Sequence, residues 1–325
     1  MAGGKNRHLP AVLRAESTRN VKQHGYTIIE VMIFLAVSGF MFLLAAQFIN
    51  GKQAQVQFKQ SINSVNSTLN STINDISNGE DQNYNGVNCT GSSGSHPIVS
   101  AGSTSQGQNK DCVFMGKVVQ FNVGGDNTKF NVYSLVGNRT KSPGDTPVNN
   151  FTDAYPIAAD DAPGDASYAS GVNLTQTETL EGGLSVNKVL SCINNCTNDP
   201  TSGTPPTYSS NVPAFGFFGS FNSCGATATQ TQSGAQSVIT TVLPIPSGKY
   251  GTDEGTMATA INTAARAIGT GNYIGSCNSV TPNSFILICF QLEKRFGSIT
   301  IGGNNGQQFT TDVETGEKVP TVCLS

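Results

Sequence analysis

The stretch KQHGYTIIEVMIFLAVSGF, residues 22–40, joins a basic segment to a long apolar run. From Ile28 to Ile49 the run has 22 residues, and its polar members are Glu30, Ser38 and Gln47. As a helix rising about 1.5 Å per residue it would be roughly 33 Å long, which matches the hydrocarbon thickness of a bilayer. Five Lys or Arg residues precede it, and the positive-inside rule keeps such an end in the cytoplasm. We therefore predict a single membrane-spanning helix at about residues 28–49.

Glu30 is an unusual residue for a plain membrane anchor. A carboxylate three residues into an apolar run costs on the order of 3 kcal/mol on membrane-insertion scales, and such groups usually face a partner. One interpretation is that Glu30 only extends towards the lipid headgroups. The other is that it pairs with a positive group of a neighbouring molecule, and the apolar run by itself leaves both open.

The helical pattern continues beyond the apolar run. After Asn50, apolar residues recur at steps of three and four, which places them on one face of a helix. This apolar stripe consists of Phe58, Ile62, Val65, Leu69, Ile73 and Ile76. A coiled-coil seam is the alternative, but the run is short and its flanking positions lack alternating charges. We predict that the stripe packs on a sheet of the same chain and that one helix spans residues 26–77.

Four features of the N-terminal region occur together: a basic leader, Gly25 at its end, the aromatic Tyr26, and Thr-Ile-Ile-Glu-Val opening the apolar helix. Over about residues 20–55 this pattern resembles the class III signal of type IV prepilins and pseudopilins. The resemblance implies that a prepilin peptidase removes the leader, residues 1–25, by cutting between Gly25 and Tyr26. It also implies methylation of the new amine of Tyr26. The family mostly has Phe at this position, and many members have a helix-bending proline where this chain has Gln47.

The same resemblance implies a fold and a function. The fold would be α+β and pilin-like, with the long N-terminal helix packed on an antiparallel sheet and long loops held by disulfides. The subunit would wait in the cytoplasmic membrane and then join an extracellular pilus at the cell surface. Its partners would be other pilin subunits, the prepilin peptidase, an assembly platform and an ATPase. In the filament, the carboxylate of Glu30 would pair with the amine of Tyr26 on a neighbouring subunit and fix the register.

The amino-acid composition disfavours some other classes of function. Only 12% of residues are charged, and after the leader the remaining 13 bases and 20 acids give a net charge of −7. Nucleic-acid binding is disfavoured because it needs clustered Lys and Arg. The large body and its long loops favour a minor pilin over a major one. A membrane-anchored extracellular binding or adhesion protein that does not polymerise is the alternative.

The cysteines lie beyond the membrane run, in the region predicted to be extracellular. An even number in an exported region indicates disulfides, whereas zinc sites usually add His or repeat a C-x-x-C spacing. Sequence alone does not choose the pairing, although Cys192 and Cys196 are candidates for a local bridge. The eight disulfide candidates are Cys89, Cys112, Cys192, Cys196, Cys224, Cys277, Cys289 and Cys323.

The remainder, residues 78–325, is predicted to be a β-rich globular domain. Residues 117–137 carry two β-rich runs around a Gly-Gly-Asp-Asn turn, which indicates a hairpin. Residues 284–303 give an apolar strand, predicted to be central, and then a second strand. A helix is predicted at about residues 253–268, stopped by Gly269, with Met257, Ile261, Ala264 and Ile268 as core. Residues 138–207 are rich in Pro, Gly, Asp, Thr and Ser. They are predicted to be a loop-rich insertion, which can contain short strands of its own.

The sequence offers few residues that could form a catalytic site or a metal site. Beyond the leader, the only histidine is His96, so a His-dependent triad or multi-His metal site is disfavoured and we predict no enzyme and no cofactor. The segment DQNYNG matches the first half of a calcium loop through Asp81, Asn83 and Asn85. Ser92 stands where the bidentate glutamate belongs, so a polar turn at the end of the long helix is favoured over calcium.

Overall fold

Among the residues that it describes, the computed structural model contains one long α-helix, two shorter α-helices, three short 3-10 helices and twelve β-strands. It describes residues 26–79, 87–91, 95–102, 111–140, 146–148, 151–158, 172–192, 208, 212–219, 238–242, 253–266, 285–302 and 310–324. The helices are α1 (Ile28–Asn78), α2 (Phe151–Ala154) and α3 (Glu254–Arg266). The chain divides into two compact units, one up to Gln53 and one from Ala54 onward.

Every strand pairing in the described part of the chain is antiparallel. The strands are β1 (Val87–Thr90), β2 (Ile98–Ala101), β3 (Cys112–Val123), β4 (Asp126–Asn138), β5 (Ile157–Ala158), β6 (Gln176–Thr179), β7 (Ser185–Cys192), β8 (Phe215–Gly219), β9 (Val238–Val242), β10 (Phe285–Leu292), β11 (Arg295–Gly302) and β12 (Thr310–Thr315). A six-stranded sheet has the order β5-β4-β3-β8-β9, with β6 also on β4. A four-stranded sheet has the order β12-β11-β10-β7, and β1 pairs with β2.

Both hairpins predicted from the sequence are present. β3 and β4 pair along most of their length around Gly124 and Gly125, which have the positive φ values that a tight turn requires. β10 hydrogen-bonds to β11 on one side and β7 on the other, so it is the central strand that its apolar run predicts. The strand β7 lies inside the region predicted to be a loop-rich insertion, yet it forms an edge of the four-stranded sheet.

The main core is built around the second half of α1. All six side chains of the apolar stripe are buried, and they share one cluster with side chains from both sheets, including Phe121 of β3, Phe215 of β8 and Ile288 of β10. The prediction that the stripe packs on the chain's own sheets is therefore confirmed. The side chain of Asn70 also donates a hydrogen bond to Thr311 Oγ1 on β12, at 3.0 Å.

The helix α3 covers the other face of the six-stranded sheet. Asp253 caps its first turn, because the backbone N–H of Thr256 donates to Asp253 Oδ1 at 3.0 Å. Met257, Ile261 and Ala264 are buried in a second core with Tyr133 of β4, as their helical spacing predicts. The remaining predicted members of this helix, Ile268 and its stop Gly269, lie outside the described residues.

Among the described residues, two disulfides tie the body together. Cys89 of β1 is bonded to Cys112 of β3, and Cys289 of β10 to Cys323. The local pairing suggested for Cys192 involves residues whose side chains lie outside the described part, as do Cys196, Cys224 and Cys277. The fold is α+β, with a long N-terminal helix, antiparallel sheets and disulfide bonds.

Candidate functional site

The candidate site is the apolar segment, residues 28–49 of α1, together with the residues that begin it. Large apolar side chains in this segment are exposed right round the helix. They include Ile28, Ile29, Phe34, Leu35, Phe40, Phe42, Leu43, Phe48 and Ile49. Among the described residues, α1 is the one helix long and apolar enough to cross a membrane. An apolar helix surface of this kind needs lipid or other apolar helices as its surroundings.

Glu30 sits in the first turn of α1 and its side chain is exposed. Its backbone N–H donates to Thr27 Oγ1 at 3.3 Å, and the N–H of Val31 donates to the Thr27 carbonyl oxygen at 3.2 Å. Thr27 is therefore the N-cap of α1. A threonine followed three residues later by glutamate is a capping box, in which the glutamate can in turn accept from the N-cap N–H.

The N-cap Thr27 is a feature that our sequence reasoning missed, and its bond is to the backbone N–H of Glu30 rather than to the carboxylate. The Thr-x-x-Glu spacing was available in the sequence and would have located the start of the helix. A negative charge in the first turn is also favoured by the helix dipole. Tyr26, whose side chain is 80% exposed, comes directly before the cap. The structure thus brings Tyr26, Thr27 and Glu30 to one helix end, while Gly25 lies outside the described residues.

The other polar residues of the segment do not interrupt the helix. The Ser38 hydroxyl donates to the carbonyl oxygen of Phe34 one turn earlier, so its polar group is satisfied within the helix. Gly39 has open space where a Cβ would be. At Gln47, where many pilins have proline, α1 continues without a break to Asn78.

A cation marks the far end of the apolar segment. The Nζ of Lys52 lies 5.6 Å from the centre of the Phe48 ring, within the range of a cation–π contact. Between Glu30 and Lys52 there are 21 residues and no ionisable side chain. As a helix this interval is about 32 Å long, again the thickness of a bilayer's apolar interior.

The other candidate residues from the sequence form no assembled site within the part of the chain that the structure describes. Within the described ranges, no group of His, Cys, Asp and Glu side chains could hold a metal ion. The calcium candidates Asp81, Asn83 and Asn85 lie outside the described residues. The Nδ1 of His96 lies 3.2 Å from the carbonyl oxygen of the adjacent Pro97, a local contact in a loop.

Comparison with known proteins gives no relative: the chain matches no protein-family model, no curated protein sequence and no solved structure. Any assignment of function therefore depends on the residues and geometry described above.

Proposed function

We propose that this chain is a structural subunit of a type IV pilus or a related filament, processed by a prepilin peptidase and assembled through α1. The observation that carries the proposal is the start of α1. There, a glutamate lies five positions after a Gly25-Tyr26 junction, in a helix whose next 21 residues are uncharged and apolar enough to cross a membrane. A plain anchor has no need of that combination.

Cleavage at Gly25 gives Glu30 a chemical purpose. It creates a positive amine on Tyr26, next to an exposed apolar helix. If such helices pack together, that amine is removed from water, and an isolated buried charge is strongly unfavourable. The carboxylate of Glu30 on a neighbouring subunit supplies the opposite charge at nearly the same depth. Pairing fixes the axial position of one subunit against the next, and repetition of a head-to-tail contact generates an open filament.

The body supports a pilin-like arrangement. The apolar stripe of α1 is covered by antiparallel sheets, and two disulfides hold β1 and β10 to other parts of the chain. We assign the disulfide-bonded body to the extracellular side, because disulfides persist in oxidising surroundings. A minor subunit is favoured over a major one, since the body is large and offers long loops for recognition. Its proposed role is structural, with no catalytic activity.

The partners follow from this assignment. Before assembly the apolar segment lies in the cytoplasmic membrane, and the peptidase acts at residues 25 and 26. During assembly the subunit contacts a platform protein and is extracted at the expense of ATP hydrolysed by an assembly ATPase. In the filament its neighbours are other pilin subunits, identical or different.

Mass spectrometry of the protein from its membrane and from sheared surface filaments tests the proposal. The expected result is a mature chain that begins at N-methylated Tyr26 and is found in both fractions. A Gly25→Leu variant, in which the small residue before the cut is replaced, should keep its leader and stay in the membrane. An unprocessed wild-type chain would overturn the proposal. A chain that is processed but absent from filaments would favour the anchored binding protein instead.

A further inference from the structure

The segment of residues 316–324 lies over the outer face of the four-stranded sheet, which is the face turned away from the apolar stripe. Its side chains Val319 and Cys323 are buried in one cluster with residues of β7 and β10, namely Leu190, Leu287 and Cys289. The disulfide between Cys289 and Cys323 fastens the segment to the sheet. We call residues 316–324 the C-terminal strap.

Cys289 belongs to a row of side chains that crosses this outer face. Residues directly opposite one another on paired strands point to the same face, with their Cβ atoms about 4.5–5.5 Å apart. Lys188 of β7 is opposite Cys289 on one side, and Ser298 of β11 is opposite it on the other. An ammonium group and a hydroxyl group thus flank Cys289 on the two neighbouring strands.

The ammonium group of Lys188 also contacts the strap where the strap is bonded. Its Nζ donates to the carbonyl oxygen of Val322, the residue before Cys323, at 3.2 Å. This contact shows that the Lys188 side chain extends over the outer face rather than away from it. A cation beside a cysteine favours the thiolate over the thiol, and the thiolate is the form that attacks a disulfide.

The hydroxyl group of Ser298 is fully buried, and its Oγ has no hydrogen-bond partner. The bridged sulfur of Cys289 therefore does not accept a hydrogen bond from it. A thiolate on Cys289 carries a full negative charge and is a better acceptor than a bridged sulfur. The thiolate form of Cys289 thus offers Ser298 a partner that the bridged form does not.

The acidic side chains on this face are farther from Cys289 than Lys188 is. Glu314 of β12 is opposite Ser298, two strands from Cys289, which is roughly 9.6 Å at the usual strand spacing, against roughly 4.8 Å for Lys188. Asp312 lies two residues further along β12, and Lys318 of the strap is exposed and positive. Burial raises the pKa of Tyr208, so its phenol stays uncharged near neutral pH. The nearer cation therefore sets the charge environment of Cys289.

We propose that Cys289 is the attacking thiol when the C-terminal bridge forms, with Lys188 and Ser298 as positioning residues for its thiolate. Before the bridge forms, the strap is not tied down and Cys289 lies on the open face of β10. The strap closes last, when Cys323 reaches the sheet. The proposal rests on the body alone and stands whether or not the chain forms a filament.

The reaction needs a disulfide-bonded oxidant. The thiolate of Cys289 attacks one sulfur of the oxidant, so that its S–S bond breaks, a mixed disulfide forms and the other sulfur leaves as a thiolate. Cys323 then gives its proton to water, and its sulfur attacks Sγ of Cys289 and expels the second sulfur of the oxidant. Two cysteine thiols are oxidised, and one disulfide of the oxidant is reduced to two thiols.

Mixed-disulfide formation at a single free thiol tests the proposal. In the full chain in detergent, Cys323→Ser leaves Cys289 unpaired, and Cys289→Ser leaves Cys323 unpaired as the matched control. Each variant is treated with oxidised glutathione over a range of pH, and the glutathione-bearing peptide is measured by mass spectrometry after an acid quench. Peptide mapping of the Cys89–Cys112 bridge and circular dichroism verify the fold. Cys323→Val, which keeps an apolar side chain in the cluster, takes the place of Cys323→Ser if that variant does not fold.

Cys289 should react roughly fivefold or more faster at neutral pH than Cys323 in the control, with its pH profile displaced to lower pH. Adding Lys188→Met should slow Cys289 roughly three- to tenfold and displace the profile to higher pH. Loss of the contact with Val322 alone would instead loosen the strap and speed the reaction. Lys188→Arg keeps the charge and should keep the profile, and Ser298→Ala should slow the reaction roughly twofold.

An unchanged pH profile in the Lys188→Met variant would overturn the proposal, as would a Cys289 that reacts more slowly than Cys323. An unchanged rate in the Ser298→Ala variant would overturn the role given to that hydroxyl group.

Discussion

The Cδ1 methyl group of Ile62 on α1 occupies the place that a Cβ at Gly297 of β11 would take. The same Cβ would lie 3.1 Å from Phe58 Cζ, closer than nearly all carbon contacts in proteins. The apolar stripe thus approaches the sheet over a position where any side chain would separate the two. This close approach explains how the helix and the four-stranded sheet can share one core.

We expect Gly297→Ala to destabilise the body. The added methyl group must displace Ile62 or the strand, and overpacking of a well-packed core costs about 1–3 kcal/mol. The measurement is the free energy of unfolding by denaturant titration in detergent, followed by circular dichroism. Gly91→Ala is the control, because its Cβ would meet neighbours at 3.4 Å, an ordinary contact distance. Equal stabilities for the two variants would contradict the close approach.

Ile62→Ala should lower the free energy of unfolding by about 2–5 kcal/mol, because Ile62 is fully buried and its truncation leaves a cavity. Val56→Ala removes an apolar side chain from the same helix that is 62% exposed. Its effect should stay within about 0.5 kcal/mol, as for surface substitutions generally. Similar losses for both variants would contradict the difference in burial between Ile62 and Val56, because alanine raises helix propensity at either position.

Two substitutions of Glu30 separate the effect of the helix cap from the effect of the negative charge on filament assembly. Glu30→Gln retains a side chain that a capping box accepts but loses the negative charge, whereas Glu30→Ala loses both. Both variants should be cleaved normally, and both should fall roughly tenfold or more in sheared filaments if the carboxylate pairs with a buried amine. The measurement is immunoblotting of sheared and membrane fractions. Normal incorporation of Glu30→Gln would assign the role to the cap, and Glu293→Gln controls for loss of an exposed acid.

Asp126 should make stability pH-dependent in acid. Hydrogen bonds from Thr128 and Lys129 lower the pKa of Asp126 from 3.8 to about 2. Because the folded pKa lies below the unfolded one, the stabilising effect is present above about pH 4 and is lost as the pH falls towards about 2. Melting temperatures of wild type and Asp126→Asn between those pH values should converge at the acid end. Parallel curves would mean that this turn does not titrate as its contacts predict.

Glu293 occupies a position that favours glycine. It is the first of two residues joining β10 to β11, and its φ is 53°. We expect Glu293→Gly to raise the free energy of unfolding by up to about 1 kcal/mol, since left-handed backbone is strained for other residues. Its exposed pair with Arg295, at 3.5 Å, contributes little. Glu293→Ala keeps the strain and should show no gain. Thermal unfolding distinguishes the two.

The elements that were predicted correctly are those whose residue pattern lies within one short stretch of the sequence. The stripe from Phe58 to Ile76, the turn at Gly124 and the apolar run of β10 each carry their periodicity within about 20 residues. α3 is bounded at its start by the cap Asp253, and its predicted core residues Met257 and Ile261 are buried.

Features that depend on distant partners were not predicted. β7 lies among Pro- and Gly-rich segments, and its place beside β10 is fixed by a pairing between Cys192 and Phe285 that no short window contains. Burial of Lys117 contradicts the usual exposure of lysine, and its ion pair with Asp75 joins residues that are 42 positions apart in the sequence. At the candidate site, Tyr26 and Glu30 were predicted from the sequence. Thr27 was not predicted, because its role as N-cap depends on where α1 begins.

The pairing of β7 with β10 has a consequence for how the chain folds. β3 and β4 are adjacent in sequence and can form their hairpin early, but β7 must wait for β10 across β8, β9 and α3. Closing so long a loop is slow, because its entropy is lost before the contacts form. Until β10 and β11 arrive, the side of the stripe that meets Gly297 has no cover. Nascent chains that stop before residue 285 should therefore need a chaperone or a lipid surface to shield Phe58 and Ile62 from aggregation.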